Sequence, residues 1–499
     1  PSEPLSYAEG GPALQDPGAS APAARYVDAD GGDDGADGLT PATAWQSLGK
    51  VHDESTGLPA GVHVLLRRGR SWGGSLTLDP PLSAADGARF VVGAYGPLAE
   101  PRPQLDSGGV RLRGVAWVTV RDLDAERISA TDEAHHNLIY DNVVHAITSG
   151  DLNNGIVIGN LAHHNAVVDN LVYDIHANDG ISIHDKNWGD PMQPVGDSQW
   201  IADNVVVGNS GMEEPIDFAS GHGLGEAKDV KIVGNRAQCE AIAGTSTLSG
   251  RAGSGIVVGH EGSHVWIVGN IVSGCNNRGI GTNASAEDSH VHMHISGNVV
   301  FNNGVASNVN VDLEMSELTF RHNTVVHDLH DRNPVAMREF ARRMTFERNI
   351  VANEEHTTWG GWVSVSPTPS VAIAAMDHNW YADLSGDAPH AIVGGLSLSE
   401  WQSTTGFDPN SGDDPISGLS VPGSSWLDPR QWNEPAFLAH FVPDSGWPAC
   451  QGDDTPGAFD CDGNRLGIVF EPHADLDNDG YGWEGPLIMQ QRYPMRCGR

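Results

Sequence analysis

The sequence predicts an all-β solenoid, and three features of the chain after position 134 lead to this prediction. A motif centred on Asn recurs nine times, from Asn142 to Asn379, at spacings of 25 to 35 residues. Apolar residues with a period of two precede most of these Asn residues, and an apolar pair follows. Helical segments of ten or more residues with a 3.6-residue period are missing from the repeats. Repeats of this length indicate stacked units, each made here of a strand, a tight corner and a strand.

The position three residues before each Asn is usually large and apolar, which predicts a strand with one buried face. These residues are Ile139, Val167, Ile201, Ile232, Ile267, Ile295, Phe320, Phe346 and Met376. Asn suits a corner because it tolerates left-handed backbone, and because stacked amides can bond to the neighbouring coil. Such coils are the units of a right-handed parallel β-helix.

A third strand can be aligned among residues 180–184, 215–219, 255–259 and 279–283. The apolar residues of these segments are expected to face inward. Ser182, His184, Asp217 and Asn283 are expected to face outward. A column of outward polar groups on one sheet predicts a long groove.

Over roughly residues 26 to 400, the sequence resembles the pectate-lyase-like superfamily of parallel β-helix proteins. The residues from Tyr26 to Leu48 are similar to the N-terminal entry of many secreted members, and Gly93 to Gly96 followed by Pro101-Arg102-Pro103 is similar to their first coils. The resemblance implies the architecture. The superfamily includes lyases, hydrolases, epimerases and tailspikes, so the resemblance does not imply one activity.

Three regions are predicted along the chain. Residues 1–25 are rich in Pro, Gly, Ala and Ser and are predicted to form a flexible segment. Residues 26–400 form the β-helix with its N-terminal cap. Residues 401–499 lack the Asn period and are predicted to form an irregular C-terminal cap.

The charge balance excludes some classes of partner. Lys and Arg number 28 against 65 Asp and Glu, which gives a formal net charge of −37. Nucleic acids and anionic membranes require basic surface, so we expect neither as a partner. No run of about 18 apolar residues is present, so no membrane span is expected. The chain begins with Pro1, which is typical of a processed product, and we expect an exported monomer.

The densest group of chemically able residues lies between positions 174 and 226. It comprises Asp174, His176, Asn178, Asp179, His184, Asp185, Lys186, Asp190, Glu213, Glu214, Asp217 and His222. The following coils add His260, Glu261, Arg278, Asn283 and Asp312. We expect catalysis from Lys186, His184, Asp217, Glu214, His222, His260 and Glu261, and substrate binding by Arg278, Asn283, Asp312, Arg338 and Trp188.

Two chemistries fit these residues. β-Elimination on a uronate polymer needs a cation to neutralise the carboxylate and a base to remove the C5 proton. Lys186 is the candidate base, and Asp185 and Glu213 are candidate Ca²⁺ ligands. Hydrolysis instead needs two carboxyl groups, about 5 to 5.5 Å apart for retention or about 6.5 to 9.5 Å apart for inversion. Asp217 with Glu261 and Glu214 with Asp312 are candidate pairs.

Other residues are candidates for binding metal. The pairs His135-His136 and His163-His164 should stack one coil apart, with one histidine of each pair outward, either as turn packing or as a metal ladder. The strongest Ca²⁺ pattern is Asp475, Asp477, Asp479 and Tyr481 around Gly480, with Glu484 in place of the usual final Glu. Residues 28–37 are a weaker version, for which turns without metal are the alternative.

The leading prediction is a secreted enzyme that cleaves a uronate-containing polysaccharide by Ca²⁺-assisted β-elimination. Two alternatives remain open. One is a glycoside hydrolase with paired carboxyl groups. The other is a non-catalytic carbohydrate-binding or surface-structural β-helix, in which aromatic residues such as Trp188, Trp359 and Trp362 would stack on sugars. The net charge of −37 counts against a polyanionic substrate unless bound Ca²⁺ and Lys186, Arg278 and Arg338 reverse the local sign.

Overall fold

The structure is a computed structural model. It describes residues 23–85, 87–147, 154–176, 178–184, 197–219, 227–242, 246, 248–259, 262–283, 291–306, 309–327, 333–338, 341–353, 361–366, 372–384, 392–413, 416, 418–423, 428–444, 456–459 and 461. Within these residues, three parallel sheets wind around one apolar core. Ala24 is already paired with His63, so the solenoid begins slightly before the boundary predicted at residue 26.

The described residues form 36 strands. The first twelve are β1 (Ala24–Val27), β2 (His63–Arg67), β3 (Ser71–Trp72), β4 (Ser75–Leu78), β5 (Phe90–Tyr95), β6 (Gln104–Leu105), β7 (Gly109–Arg113), β8 (Val118–Arg121), β9 (Asp124–Ala125), β10 (Ile128–Thr131), β11 (Leu138–Tyr140) and β12 (Val143–Ile147). The next twelve are β13 (Ile156–Gly159), β14 (Ala166–Val168), β15 (Leu171–Ile175), β16 (Ile181–His184), β17 (Trp200–Ala202), β18 (Val205–Val207), β19 (Ile216–Ala219), β20 (Ala227–Val233), β21 (Arg236–Gln238), β22 (Ile256–Gly259), β23 (Gly262–Val268) and β24 (Ile271–Ser273). The last twelve are β25 (Ile280–Asn283), β26 (Val291–Ser296), β27 (Val299–Phe301), β28 (Val311–Leu313), β29 (Leu318–Arg321), β30 (Thr324–His327), β31 (Val335–Met337), β32 (Met344–Glu347), β33 (Ile350–Asn353), β34 (Val363–Val365), β35 (Ile373–Asp377) and β36 (Trp380–Asp383).

Each coil contributes one strand to each sheet. Sheet A has 13 described strands in the order β1-β2-β5-β8-β11-β14-β17-β20-β23-β26-β29-β32-β35. Sheet B has 12, in the order β3-β6-β9-β12-β15-β18-β21-β24-β27-β30-β33-β36. Sheet C has 11, from β4 and β7 through every third strand to β34. From β7 onward, successive strands in each sheet are one coil apart in the chain, which confirms the predicted right-handed parallel β-helix.

The core follows the predicted alternation of side chains. The nine apolar residues that precede the Asn motifs lie in sheet A and are at most 2% exposed. Sheet C contributes Ile181, Ile216, Ile256 and Ile280, which occupy one register position on successive strands. The alignment of the third strand from the sequence is therefore confirmed.

The corner between sheets A and B contains a ladder of buried Asn side chains, which we call the Asn ladder. Its members are Asn142, Asn170, Asn204, Asn235, Asn270, Asn298, Asn323, Asn349 and Asn379. Each Nδ2 donates to the Oδ1 of the next member at 2.9 to 3.2 Å. At the end, Asn379 donates to the Asp408 carboxylate at 2.9 Å.

The reason proposed for Asn at this corner is partly wrong. The residue with left-handed backbone is the one before each Asn, for example Asp141 (φ 51°), Asp169 (φ 55°) and Gly234 (φ 67°). The Asn residues themselves do not have positive φ angles. Asn is therefore used for its amide, which both donates and accepts hydrogen bonds.

Helices lie at the ends of the solenoid. Helix α1 (Leu48–Ser55) has its N-terminus capped by Ser47, and α2 (Leu398–Thr405) begins with a capping box between Ser397 and Glu400. The short α3 (Pro435–Leu438) lies between 3₁₀ turns at Pro429–Gln431 and Ala439–Phe441. Another 3₁₀ turn spans Pro41–Thr43. Isolated parallel bridges join Val363 to Val393 and Trp380 to Gly412 near the last coil.

The irregular C-terminal region packs along the outer face of sheet B. Trp432, Phe437 and Phe441 are fully buried against residues such as Phe301. The guanidinium of Arg236, several coils earlier, donates to the carbonyl of Arg430 at 3.2 Å. This region therefore covers a lateral sheet face as well as following the last coil.

Disulfides add covalent links. Cys239 is bonded to Cys275 in the next coil. Cys461 is also in a disulfide, and its partner lies outside the described residues. None of the described helices is long and apolar enough to cross a lipid bilayer.

Candidate active site on sheet C

The candidate site lies on the outer face of sheet C, at and near the N-terminal ends of its strands. Ser182, Asp217, Val257, Gly281 and Asp312 occupy one outward register position on the neighbouring strands β16, β19, β22, β25 and β28. The inward residues on either side are fixed by burial in the core, and this fixes the outward direction of the column.

Three carboxyl groups meet just before strands β16 and β19, and we call them the acidic cluster. Asp179, Glu213 and Glu214 each offer a carboxylate oxygen within 4.8 Å of the other two. The N–H of Gly180 donates to the carbonyl of Glu214, which places Asp179 and Glu214 side by side on adjacent coils. The Asn154 side chain accepts a hydrogen bond from the backbone N–H of Asp179 at 3.1 Å and fixes this turn.

The Glu214 carboxyl is hydrogen-bonded to the Asp179 carboxyl, so at least one of the two carries a proton. Burial and the negative charges of Asp179 and Glu213 raise the pKa of Glu214 to about 8, against an opposing effect of Arg278. Burial also raises the pKa of Asp217 well above its ordinary value, and the charges of Asp179, Glu214 and Glu213 act in the same direction. A carboxyl group with this pKa keeps its proton at neutral pH.

A second, basic group lies two to four coils beyond strand β19. The Arg278 guanidinium donates to Asp312 at 3.2 Å and to the Asn283 side chain at 2.6 Å. Arg338 donates to the same Asp312 carboxylate at 2.5 Å. Asp312 is only 4% exposed, whereas the Arg338 side chain is 46% exposed and remains available to a ligand.

Gly281 makes room for Arg278 in the outward column. A Cβ at position 281 would lie 2.2 Å from Arg278 Nε and 2.4 Å from its Cδ. The arginine side chain therefore crosses strand β25 in the space that another residue's side chain would fill. Any larger residue at 281 would displace the guanidinium from Asp312 and Asn283.

The structure brings many of the predicted residues together. Glu213 and Glu214 form the acidic cluster with Asp179, and Asp217 is electrostatically coupled to it. Arg278, Asn283, Asp312 and Arg338 form one network. His184 ends strand β16 beside Ala219, and its side chain lies outside the described residues. The remaining candidates lie outside them entirely: Lys186, Asp185, Trp188, His222, His260, Glu261, Asp475, Asp477, Asp479, Tyr481 and Glu484.

One predicted pairing is wrong. Glu214 and Asp312 were candidates for two carboxyl groups across one glycosidic bond. Strand β28, which carries Asp312, is the third neighbour of β19 in sheet C, so the two positions are about 14 Å apart at about 4.8 Å per strand. Asp312 is also held by two arginines and serves as their partner.

The acidic residue that the site assignment omitted is Asp179. The alignment of the third strand contained the signal, since Asp179 precedes Gly180 just as Glu214 precedes Pro215. Adjacent coils place such equivalent positions next to each other. The role of Asn154 had no signal in the sequence, because its segment was not aligned.

Two further sequence candidates have structural roles. The Trp362 side chain is 2% exposed in the core, so it does not offer a stacking surface to a sugar. In residues 28–37, Asp28 binds Arg67 and Arg70, and Asp34 accepts hydrogen bonds from the N–H groups of Gln46 and Ser47. Both carboxylates therefore have hydrogen-bond partners within the protein, and metal binding at residues 28–37 stays a prediction.

Comparisons with solved structures find matches at low identity and low TM-score. A GH136 lacto-N-biosidase from Eubacterium ramulus matches with a TM-score of 0.43 and 14% identity over 78% of this chain; the match spans 66% of that protein, just under two thirds of its length. Pectate lyase Pel9A matches with a TM-score of 0.41 and 17% identity, over 62% of this chain and 76% of that protein. The A-module of Azotobacter vinelandii mannuronan C-5 epimerase AlgE4 matches with a TM-score of 0.38 and 11% identity, over 80% and 100% of the two chains.

No protein-family model matches the chain, and no curated protein matches its sequence. The three long parallel sheets of this chain confirm the resemblance found in the sequence at the level of architecture. Likenesses this distant bear on the fold alone, so none of their activities is assigned to this chain.

Proposed function

We propose that the protein is an exported, monomeric enzyme that hydrolyses glycosidic bonds of a polysaccharide bound along sheet C. The observation that carries the proposal is the hydrogen-bonded pair of Glu214 and Asp179, in which the pKa of Glu214 is raised to about 8. Glycoside hydrolysis needs a carboxylic acid that keeps its proton at neutral pH and gives it to the leaving oxygen. The disulfide between Cys239 and Cys275 supports export, because disulfides persist in oxidising compartments.

In this proposal, Glu214 is the proton donor and Asp217, in its ionised form, activates water. The raised pKa of Asp217 therefore moves the rising limb of the pH profile above the range of an ordinary Asp. Asp179 accepts the hydrogen bond from Glu214 and keeps it protonated. Glu214 and Asp217 are three residues apart at the start of strand β19, so their α carbons are at most about 10 Å apart. This bound admits carboxyl separations suited to inversion or to retention, and the anomeric configuration of the product distinguishes the two.

The net charge supports a substrate with few negative charges. At −37, the protein repels a polyanion at long range. The basic network of Arg278 and Arg338 is partly neutralised by Asp312, so it offsets little of this repulsion. A neutral polysaccharide faces no such barrier.

Ca²⁺-assisted β-elimination of a uronate polymer is the second candidate, and the acidic cluster is the observation that favours it. Ca²⁺ takes oxygen ligands at about 2.3 to 2.6 Å, so oxygens on opposite sides of the ion are up to about 5 Å apart. The 4.8 Å limit among Asp179, Glu213 and Glu214 fits this distance. Bound there, Ca²⁺ would neutralise the uronate carboxylate. Lys186 would remove the C5 proton.

One assay separates these candidates. The protein is incubated with neutral and uronate polysaccharides, with EDTA or with added Ca²⁺, and both reducing ends and the ultraviolet absorbance of unsaturated ends are recorded. Reducing ends without absorbance, unchanged by EDTA, support hydrolysis. Absorbance that EDTA abolishes supports the lyase. Neither signal across a broad panel overturns both and leaves carbohydrate binding without catalysis.

A further inference from the structure

The corner between sheets C and A carries four imidazoles, two from each of two successive coils. Along the chain of one coil, a strand of sheet C separates this corner from the position of the acidic cluster. His135 and His163 are joined by a parallel backbone bridge, and their rings stack at 4.9 Å with planes 3° apart. The rings of His136 and His164 stack at 4.8 Å with planes 13° apart. We call these four residues the His corner. Both members of each pair stack, although the sequence predicted that only one would face outward.

Within each coil, the two neighbouring histidines meet through the same atom. Nδ1 of His135 lies 2.8 Å from Nδ1 of His136, and the distance between Nδ1 of His163 and Nδ1 of His164 is also 2.8 Å. Left-handed backbone at His136 (φ 55°) and His164 (φ 54°) lets consecutive side chains meet in this way. In a neutral pair, one Nδ1 donates a hydrogen bond and the other accepts it.

We propose that the His corner binds divalent d-block cations, with one ion held by the two Nδ1 atoms of each pair. Imidazole nitrogens bind such ions at about 2.0 to 2.1 Å, so two ligands at a right angle are about 2.9 Å apart. The observed spacing of 2.8 Å in both pairs matches this value. The ring that donated moves its proton from Nδ1 to Nε2, so binding releases no net proton.

The chemistry of the ligands selects the metal. Imidazole suits Cu²⁺, Ni²⁺ and Zn²⁺, and Cu²⁺ forms the strongest complexes among them. Ca²⁺ prefers oxygen ligands and should choose the acidic cluster instead. The His corner and the acidic cluster are therefore expected to bind different ions.

The neighbouring charges have opposite effects on the two members of the pair formed by His135 and His136. Glu133 is an exposed carboxylate beside His135 and favours a bound cation. Arg89 donates to the carbonyl of His136, and its positive charge opposes a cation there. Trp117 stacks on His136 at 4.3 Å and restricts that ring. The pair of His163 and His164, one coil further from Arg89 and Trp117, is expected to bind more tightly.

The chain offers a matched control at the same corner. His264 and His292 also lie ring against ring on adjacent coils, with centroids 4.9 Å apart and planes tilted by 37°, and both have left-handed backbone. Each of these coils contributes one histidine at this position, so two Nδ1 atoms within a coil are not brought together. Stacking alone therefore predicts equal metal binding at both places, whereas pairing predicts binding at the His corner.

The experiment is a Cu²⁺ titration of the full chain in excess Ca²⁺, which occupies carboxylate sites, followed by calorimetry and electron paramagnetic resonance. The double variant His136→Asn/His164→Asn breaks both pairs, and Asn tolerates left-handed backbone. His135→Gln/His163→Gln breaks the same pairs from the other side, so the test survives if one variant misfolds. His292→Asn is the control.

We expect the wild type and the control to bind Cu²⁺ with the spectrum of two coordinated nitrogens. Both double variants should bind at least tenfold more weakly and lose that spectrum, while keeping the thermal unfolding curve of the control. Unchanged Cu²⁺ affinity in a folded double variant would overturn the proposal. An equal loss in His292→Asn would overturn it too, because stacking alone would then explain the binding.

Discussion

The Asn ladder and the acidic cluster are both rows of polar side chains on adjacent coils, but they satisfy their hydrogen bonds differently. The ladder is buried, whereas only Asp179 of the acidic cluster is fully buried. An amide donates and accepts, so each Asn passes one hydrogen bond to the next, as Asn235 does to Asn270 at 3.0 Å. An ionised carboxylate only accepts. Asp179 beside Glu214 therefore needs a proton or a cation between the two groups, and this raises the pKa of Glu214.

The difference shows what repetition means in a solenoid. The ladder position is Asn in nine successive coils, because each amide there forms a hydrogen bond with the amide of the same residue type in the next coil. The equivalent position before sheet C changes from Asp179 to Glu214, Ser254 and Arg278 on successive coils. A repeated polar residue indicates structure. A run of unlike charged residues at one register position indicates chemistry.

The largest expected effect comes from making the acidic cluster resemble the ladder. In Glu214→Gln, the amide still donates to Asp179 but has no proton to transfer. We expect polysaccharide cleavage to fall by about 10²- to 10⁴-fold, with stability unchanged or increased. The measurement is kcat/KM together with urea unfolding.

Glu240→Gln is the matched control for this prediction, because it removes a carboxylate that pairs with Arg251 outside the cluster. Its activity should equal that of the wild type. Activity retained in Glu214→Gln would rule out Glu214 as the proton donor.

The converse change makes the ladder resemble the acidic cluster. Asn270 donates to Asn298 and to the carbonyl of Ile232, and an aspartate at 270 cannot donate. We expect Asn270→Asp to cost roughly 2 to 4 kcal/mol of unfolding free energy at pH 7. A protonated Asp can donate, so the folded pKa of this carboxyl is raised above its unfolded value of about 3.9. The loss should therefore be small near pH 4 and should grow as pH rises.

Asn270→Leu provides the contrast, because leucine does not titrate. Its loss of unfolding free energy relative to the wild type should be similar at pH 4 and pH 7. Urea unfolding of all three proteins at pH 4 and pH 7 checks this. A loss in Asn270→Asp that does not change with pH would show that the ladder does not require a donor at this position.

The same contrast explains how far the sequence could predict the molecule. Strands and the Asn ladder were predictable, because Ile139 and its equivalents repeat at a fixed distance from each Asn. The adjacency of Asp179 and Glu214 could be read from the aligned third strand. The arrangement around Arg278 could not, because it depends on the path of a long side chain across Gly281. The left-handed residue before each Asn was also missed, since it is Asp, Gly, His or Arg in different coils.

A third kind of buried polar residue sharpens the comparison. His327 is fully buried at the end of strand β30, and neither ring nitrogen makes a hydrogen bond to any residue that the structure describes. Burial lowers its pKa to about 4, from about 6.5 in the unfolded chain. Its contribution to stability is therefore complete above about pH 6.5 and is lost as pH falls towards 4, by up to about 3 kcal/mol.

His327→Leu should remove this pH-dependent loss. The unfolding free energies measured in urea at pH 7.5 and 4.5 should therefore differ less in the variant than in the wild type. An identical acid dependence in both proteins would contradict it.

The smallest expected effect tests how the basic network acts on the acidic cluster. The Arg278 guanidinium lowers the pKa of Glu214, so Arg278→Gln should raise that pKa above about 8. Glu214 is active when protonated, and activity falls as pH rises through its pKa. The falling limb of kcat/KM should therefore move to higher pH in the variant, by up to about one unit.

Arg338→Gln is the control, because Arg338 binds the same Asp312 and is not among the main charges acting on Glu214. Equal shifts in the two variants would mean that the Asp312 carboxylate, once it has lost an arginine partner, changes the pKa of Glu214. The basic network and the acidic cluster would then act on the substrate as one site.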